Sequence, residues 1–243
     1  MHHLTIVSNQ IDEIFLHLFE LARKSMLPWS RIAILGLASG MAIAMLAARV
    51  LYSGRGHHLY LVWNLILAWM PLAFALLFCL ADQWTVRLRL ARFACACGWL
   101  LFLPNAPYII TDFVHLVPRP AVPLWYDILL LMMFAWTGVM LAFVSLRMMQ
   151  DRVVSRWGCR AGWGFAVAAL GLASFGIYIG RFQRFNSWSV LNRPLEVFGD
   201  IANRFLVPWE HPRTWGFTAC FFIFLLLAYA MWTGGREEVK RER

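Results

Sequence analysis

The stretch Ile128–Leu146 reads ILLLMMFAWTGVMLAFVSL, with no charged side chain between Asp127 and Arg147. At about 1.5 Å of rise per residue, a helix of this length covers the roughly 30 Å hydrocarbon layer of a bilayer. Five further apolar runs flank it. Ile32–Leu51 and Leu59–Leu80 precede it, the latter holding Asn64 and Pro71. A third run begins near Ala91 and is interrupted at Pro104 and Pro107. Its unbroken part, Phe93–Leu103, is too short to cross alone, so it must continue through the proline pair as a broken helix to Leu116. Ala161–Ile179 and Trp215–Trp232 complete the set. The pattern predicts an all-α fold: a polytopic transmembrane helical bundle of about six spans, with a broken third helix and interfacial amphipathic helices.

Composition agrees. Of 243 residues, 61% are hydrophobic and 14% charged, against about 45–50% and about 25% in soluble domains. One water-soluble core of this size cannot hide that excess, so it faces lipid. The net charge of +9 and the 13 tryptophans fit basic loops at an anionic membrane surface and aromatic belts at both interfaces. Beyond net charge nothing supports a nucleic-acid partner. The cysteines Cys79, Cys95, Cys97, Cys159 and Cys220 suggest no disulfide framework, and the Cys95-x-Cys97 pair is a weak metal signal beside ordinary packing cysteines. No cleavable signal peptide is expected, because the first residues lack a basic start, an apolar core and a small-residue cleavage site.

Three regions follow. Residues 1–29 form an N-terminal interfacial segment in which Glu13, His17, Glu20 and Lys24 share one helical face and Ile11, Ile14, Phe15 and Leu18 the other. Residues 30–233 form the bundle, and 234–243 a basic tail. With six spans, 14 of the 22 Lys and Arg residues fall on the side of the two termini. The positive-inside rule then puts both termini in the cytoplasm of a bacterial plasma membrane. Arg181, Arg184, Arg193, Arg204 and Arg213 crowd one outer loop against that rule, so something is expected to hold them there.

Two polar segments fall on the outer side. In LPNAPYIITDFVH (103–115), Asn105, Tyr108, Thr111, Asp112 and His115 are polar, and the last four are spaced to share a helical face. In GRFQRFNSW (180–188), Arg181, Arg184, Asn186 and Trp188 lie just beyond the fifth span. Polar groups in membrane segments are costly and tend to mark function. Asn105, Tyr108, Asp112 and His115 are therefore the candidate catalytic residues, and Arg181, Arg184, Asn186 and Trp188 the candidate substrate-binding residues. Asp112 and His115 could do proton-transfer chemistry, or bind a metal with help from His57, His58, Glu210 or His211. Alternatively, Asp112 pairs with Arg181 or Arg184, and His115 caps backbone freed by Pro107. Arginine forks suit phosphate, which makes a phospholipid or polyprenyl-phosphate head group a sensible ligand. Simple snorkelling and a belt tryptophan would explain the same residues. Residues 194–206 read as a surface helix with Leu195, Phe198, Ile201 and Phe205 on its apolar face, able to roof the polar site.

The LPNAPY stretch, with WYD at 125–127 and GRFQRFNSW, resembles a family of bacterial multi-pass membrane proteins classed as a domain of unknown function. The likeness covers roughly residues 60 to 232 and implies the membrane fold, but no activity, cofactor or substrate. Motifs for serine hydrolysis, zinc proteolysis and nucleotide binding are absent. Three functions remain open. One is an outer-face membrane enzyme acting on a lipid-linked or phosphate-bearing substrate. A second is a non-catalytic scaffold, docking another membrane protein through the stripes Gly36/Gly40 and Gly176/Gly180. The third is a transporter lined by the broken helix. Membrane lipids are expected partners in all three.

Overall fold

The computed structural model describes residues 29–81, 89–183, 192 and 194–241. The expected amphipathic helix of the first 27 residues lies outside them. Among the described residues the fold is helical, and its only β-pairing is a single bridge between Arg119 and Val122. Helix α1 is Trp29–Ser53, α2 Tyr60–Ala81, α3 Arg89–Phe102, α4 Asn105–Tyr108, α5 Leu124–Phe182, α6 Pro194–Leu206 and α7 Pro212–Arg241. A 3-10 turn, Ile109–His115, extends α4, and a second, Pro208–Glu210, precedes α7.

Five stretches are long and apolar enough to cross a membrane: Trp29–Ser53, Tyr60–Leu80, Arg89–His115, Leu124–Phe182 and Pro212–Gly234. The fourth is two passes in one. At Gly158 the backbone takes φ 83° and ψ 171°, a left-handed conformation that glycine adopts without a Cβ penalty. The chain folds back there. A Cβ on Gly162 would lie 3.5 Å from Gln150 Cγ, whereas twelve residues of straight helix would separate them by about 18 Å. Phe143 and Trp163 accordingly both contact Tyr229. The bundle therefore has the six passes expected.

Helix boundaries differ from the sequence reading between the fourth and fifth spans. The expected basic loop at 147–160 is helical to the edge of Gly158. Arg147 and Asp151, one turn apart at 2.8 Å, give that extension an ion pair on its own surface.

The two arms of α5 are the centre of the bundle. Of the apolar window in α5, 67% is buried inside the protein, against 17% for α7. Leu130, Leu131, Phe134, Leu141 and Phe143 fill the first arm, and Ala166, Ala169, Leu170, Ala173 and Ile177 the second. Outer helices carry large exposed apolar residues such as Ile34, Leu37, Leu51, Trp63 and Met231, a surface suited to lipid.

The broken third span fits against α5 through glycine. A Cβ at Gly138 would sit 2.3 Å from the Ala106 carbonyl oxygen, and one at Gly176 would sit 2.6 Å from Pro104 Cγ. Gly176 thus lets Pro104 of the broken span approach closely. Gly36 and Gly40 meet nothing within 4 Å and remain on the outer face of α1.

Candidate functional site

Pro104 and Pro107 lack the N–H that an α-helix would use, and α3 ends at Phe102. One turn of α-helix follows, then seven residues of 3-10 helix. The tighter winding keeps Tyr108, Asp112 and His115 near one line facing the C-terminal end of α5. Thr111, expected on the same face, instead donates to the Tyr108 carbonyl at 2.7 Å.

Arg181, in the last turn of α5, reaches across to all three. Its Nη1 donates to Asp112 Oδ1 at 3.3 Å and to the Tyr108 hydroxyl at 3.4 Å. Its Nη2 lies 3.1 Å from His115 Nε2. A guanidinium has only donors, so His115 Nε2 must accept, leaving the ring proton on Nδ1. The second carboxylate oxygen of Asp112 accepts from Asn64 Nδ2 at 2.8 Å. Asp112 is almost sealed, at 2% side-chain exposure, while Arg181 keeps 16%.

These groups line a cavity of about 590 Å³. Tyr60, Asn64, Asn105, Tyr108, Asp112, His115 and Arg181 are its polar lining. Trp63, Leu67, Leu100, Phe175 and Ile179 are among its apolar lining. Helix α6, read from the sequence as a surface helix, contributes Val197 and Ile201 to the lining. The face it turns inward overlaps the one read from the sequence. Ile201 lines the cavity and the Phe205 ring packs on Phe175 and Trp215, at 5.4 and 5.0 Å between centroids, with Val197 and Arg204 beside them, while Leu195 is 87% exposed. Arg204 sets that orientation: it is buried, forks onto Asp200 at 2.8 and 3.0 Å, and donates to Thr214 at 2.6 Å. Two of the arginines between the fifth and sixth apolar runs are therefore held by named partners, Arg181 by Asp112 and Arg204 by Asp200.

Of the candidate site residues, Asn105, Tyr108, Asp112, His115 and Arg181 come together around the cavity. Arg184, Asn186 and Trp188 lie outside the described residues. Asn64 and Tyr60 join the site without having been selected for it. Asn64 stood out as a polar residue in an apolar span, but nothing local linked it to Asp112, 48 residues away. The further metal ligands do not gather around His115. His58 lies by Asp127, at 3.9 Å, and His211 faces Asn203, at 3.3 Å. Among the described residues no three His, Cys, Asp or Glu side chains are placed to hold a metal ion.

A family model described as Protein of unknown function (DUF1361) matches residues 63–228. The chain belongs to that family. No curated protein and no solved structure matches it. The family match takes in the broken span, both arms of α5, α6 and most of α7, so every cavity residue except Tyr60 lies inside it.

Proposed function

We propose that this DUF1361 protein is a membrane enzyme of the outer face that acts on a lipid-linked, phosphate-bearing substrate. The observation that carries the reading is the mixed lining of the cavity: a cation and titratable groups share it with large apolar side chains. An amphipathic anion suits both kinds of wall. Arg181 spends three of its five N–H donors on Tyr108, Asp112 and His115, and a phosphate would compete for that fork. Drawing Arg181 away frees His115 Nε2, which becomes a base positioned beside the bound head group. Asp112, fixed by Asn64, holds the position to which Arg181 returns. The membrane is the bacterial plasma membrane, with both termini in the cytoplasm and the cavity toward the outside. The excess of basic residues in the opposite loops supports that orientation.

The test is binding of farnesyl monophosphate, with farnesol as the neutral control, to detergent-purified full-length protein by native mass spectrometry. The phosphate is expected to bind at least about ten-fold more tightly than the alcohol, and Arg181→Gln to erase the difference. Equal binding of phosphate and alcohol would refute the reading.

A second reading, a scaffold for another membrane protein, rests on α1. Gly36, Gly40, Ala44 and Ala48 are all exposed there, a small-residue stripe of the kind that lets two helices approach closely. Gly40→Leu should abolish association with a partner if this reading holds and leave farnesyl monophosphate binding intact.

A further inference from the structure

A second polar cluster lies at the same end of the bundle and shares no side chain with the cavity. Arg49, in the last turns of α1, forks onto Asp127 at the start of α5: Nε to Oδ1 at 2.6 Å and Nη2 to Oδ2 at 3.0 Å. His58, from the loop between α1 and α2, is 2% exposed and places Nε2 3.9 Å from the same carboxylate. Arg119 lies in the turn before α5. Pro118 and Pro120 flank it and restrict its backbone, and the turn closes with Val122 N–H donating to the Arg119 carbonyl at 3.3 Å. Its charge acts on His57, His58 and Asp127.

Three buried nitrogens in this cluster make no hydrogen bond: Arg49 Nη1, His58 Nδ1 and Arg119 Nε. Folded proteins leave few buried polar atoms unmatched, because each costs the desolvation of a donor with nothing in return. All three can be donors. The charges do not balance either: Asp127 offsets one guanidinium and leaves the other. Unmatched donors with surplus positive charge ask for an acceptor that is itself negative. We propose that Arg49, His58 and Arg119 form an oxyanion site for a phosphate group, separate from the cavity. The Arg119 guanidinium can fork onto tetrahedral oxygens, Arg49 adds the one donor that Asp127 leaves over, and the helix-end position matches the depth of a lipid head group. The phosphate comes either from a phospholipid of net negative charge or from free inorganic phosphate, and the two sources are separable.

Full-length protein is placed in nanodiscs of phosphatidylcholine alone, with or without inorganic phosphate, and in discs containing phosphatidylglycerol. Native mass spectrometry after release counts retained adducts, and the melting temperature records linked stabilisation. Retention and a raised melting temperature with phosphatidylglycerol assign a head group; the same with inorganic phosphate assigns the free anion. Arg119→Gln is expected to weaken retention about ten-fold, with Arg119→Lys intermediate because it keeps the charge and loses the fork. The dependence on Arg119 should persist in an Arg181→Gln background, which separates this site from the cavity. The proposal is overturned if neither probe adds mass or raises the melting temperature, or if Arg119→Gln retains the adduct as the wild type does.

Discussion

Arg49 meets Asp127 through two hydrogen bonds of 2.6 and 3.0 Å with both side chains sealed, whereas Arg181 meets Asp112 once, at 3.3 Å, beside a cavity. Residue types and bundle end are the same. The first pair is matched in number, since the fork of one residue fills the carboxylate of the other, and it ties α1 to α5. In the second pair each partner is shared: Arg181 also serves Tyr108 and His115, and Asp112 also accepts from Asn64. A pair whose members hold several weaker contacts can be rearranged by a ligand at low cost. The contrast marks the Arg49–Asp127 pair as a fastening that leaves one donor over, Arg49 Nη1, and supports the reading of the Arg181–Asp112 pair as part of a site.

The most severe test of that contrast is Asp127→Ala. It leaves Arg49 buried without its counter-charge, a loss of about 3–5 kcal/mol, enough to unfold a marginal protein. The melting temperature in detergent should fall further than for any change in the cavity. A larger fall for Asp112→Ala would invert the assignment of the two pairs. Next comes Gly138→Ala. The added Cβ would lie 2.3 Å from the Ala106 carbonyl oxygen, and backbone cannot swing aside as a side-chain tip can. Displacing the broken span should cost about 1–3 kcal/mol and weaken binding of farnesyl monophosphate, since Tyr108 and Asp112 ride on that span. Stability lost with ligand binding unchanged would show that the cavity does not depend on this contact.

Asp112→Asn divides the two roles more finely. It keeps the side chain's shape and removes the negative charge that competes for Arg181. In a site, farnesyl monophosphate should bind about ten-fold more tightly, because the guanidinium is released to the phosphate. In a fastening, stability would fall and affinity would not rise.

How much of this was legible in the sequence follows from the same two pairs. Hydrophobic run length is a local property, and with it came the six passes and the break at Pro104 and Pro107. The grouping of Tyr108, Asp112 and His115 was legible too, because a helical turn fixes which residues share a face. Their meeting with Arg181 rested on the six-pass topology, which returns the end of the fifth pass to the side of the third. Arg49 and Asp127, 78 residues apart, gave no such signal. Each sits at the end of an apolar run, where a charge is ordinary, and only the packing of α1 against α5 makes them partners. Helix α6 shows a further limit. Of the face read from its periodicity, Ile201 and Phe205 lie against the protein, and Leu195 is turned away as Arg204 reaches Thr214.

The smallest effect is a pH dependence at the Arg49–Asp127 end, measured without phosphate or anionic lipid. Burial lowers the pKa of His58 from the ordinary 6.5, and the neighbouring charge of Arg49 lowers it further. Arg119 and His57 act in the same direction, and Asp127 opposes them without prevailing. Tyr60 closes the remaining side with the edge of its ring, 6.0 Å between centroids. The folded protein therefore holds His58 neutral at a pH where the unfolded chain would protonate it. The contribution of His58 to stability is complete above about pH 7 and is lost as the pH falls below 6.5, with a slope of at most about 1.4 kcal/mol per pH unit. Other groups titrate in the same range, so the measurement is a difference. The melting temperature of the wild type should fall more steeply than that of His58→Gln between about pH 7.5 and 5.5, because glutamine has no proton to gain there. Parallel curves would mean that His58 is no more buried when folded than when unfolded. The sealed character of the Arg49–Asp127 end, on which the contrast with Arg181 and Asp112 depends, would then be lost.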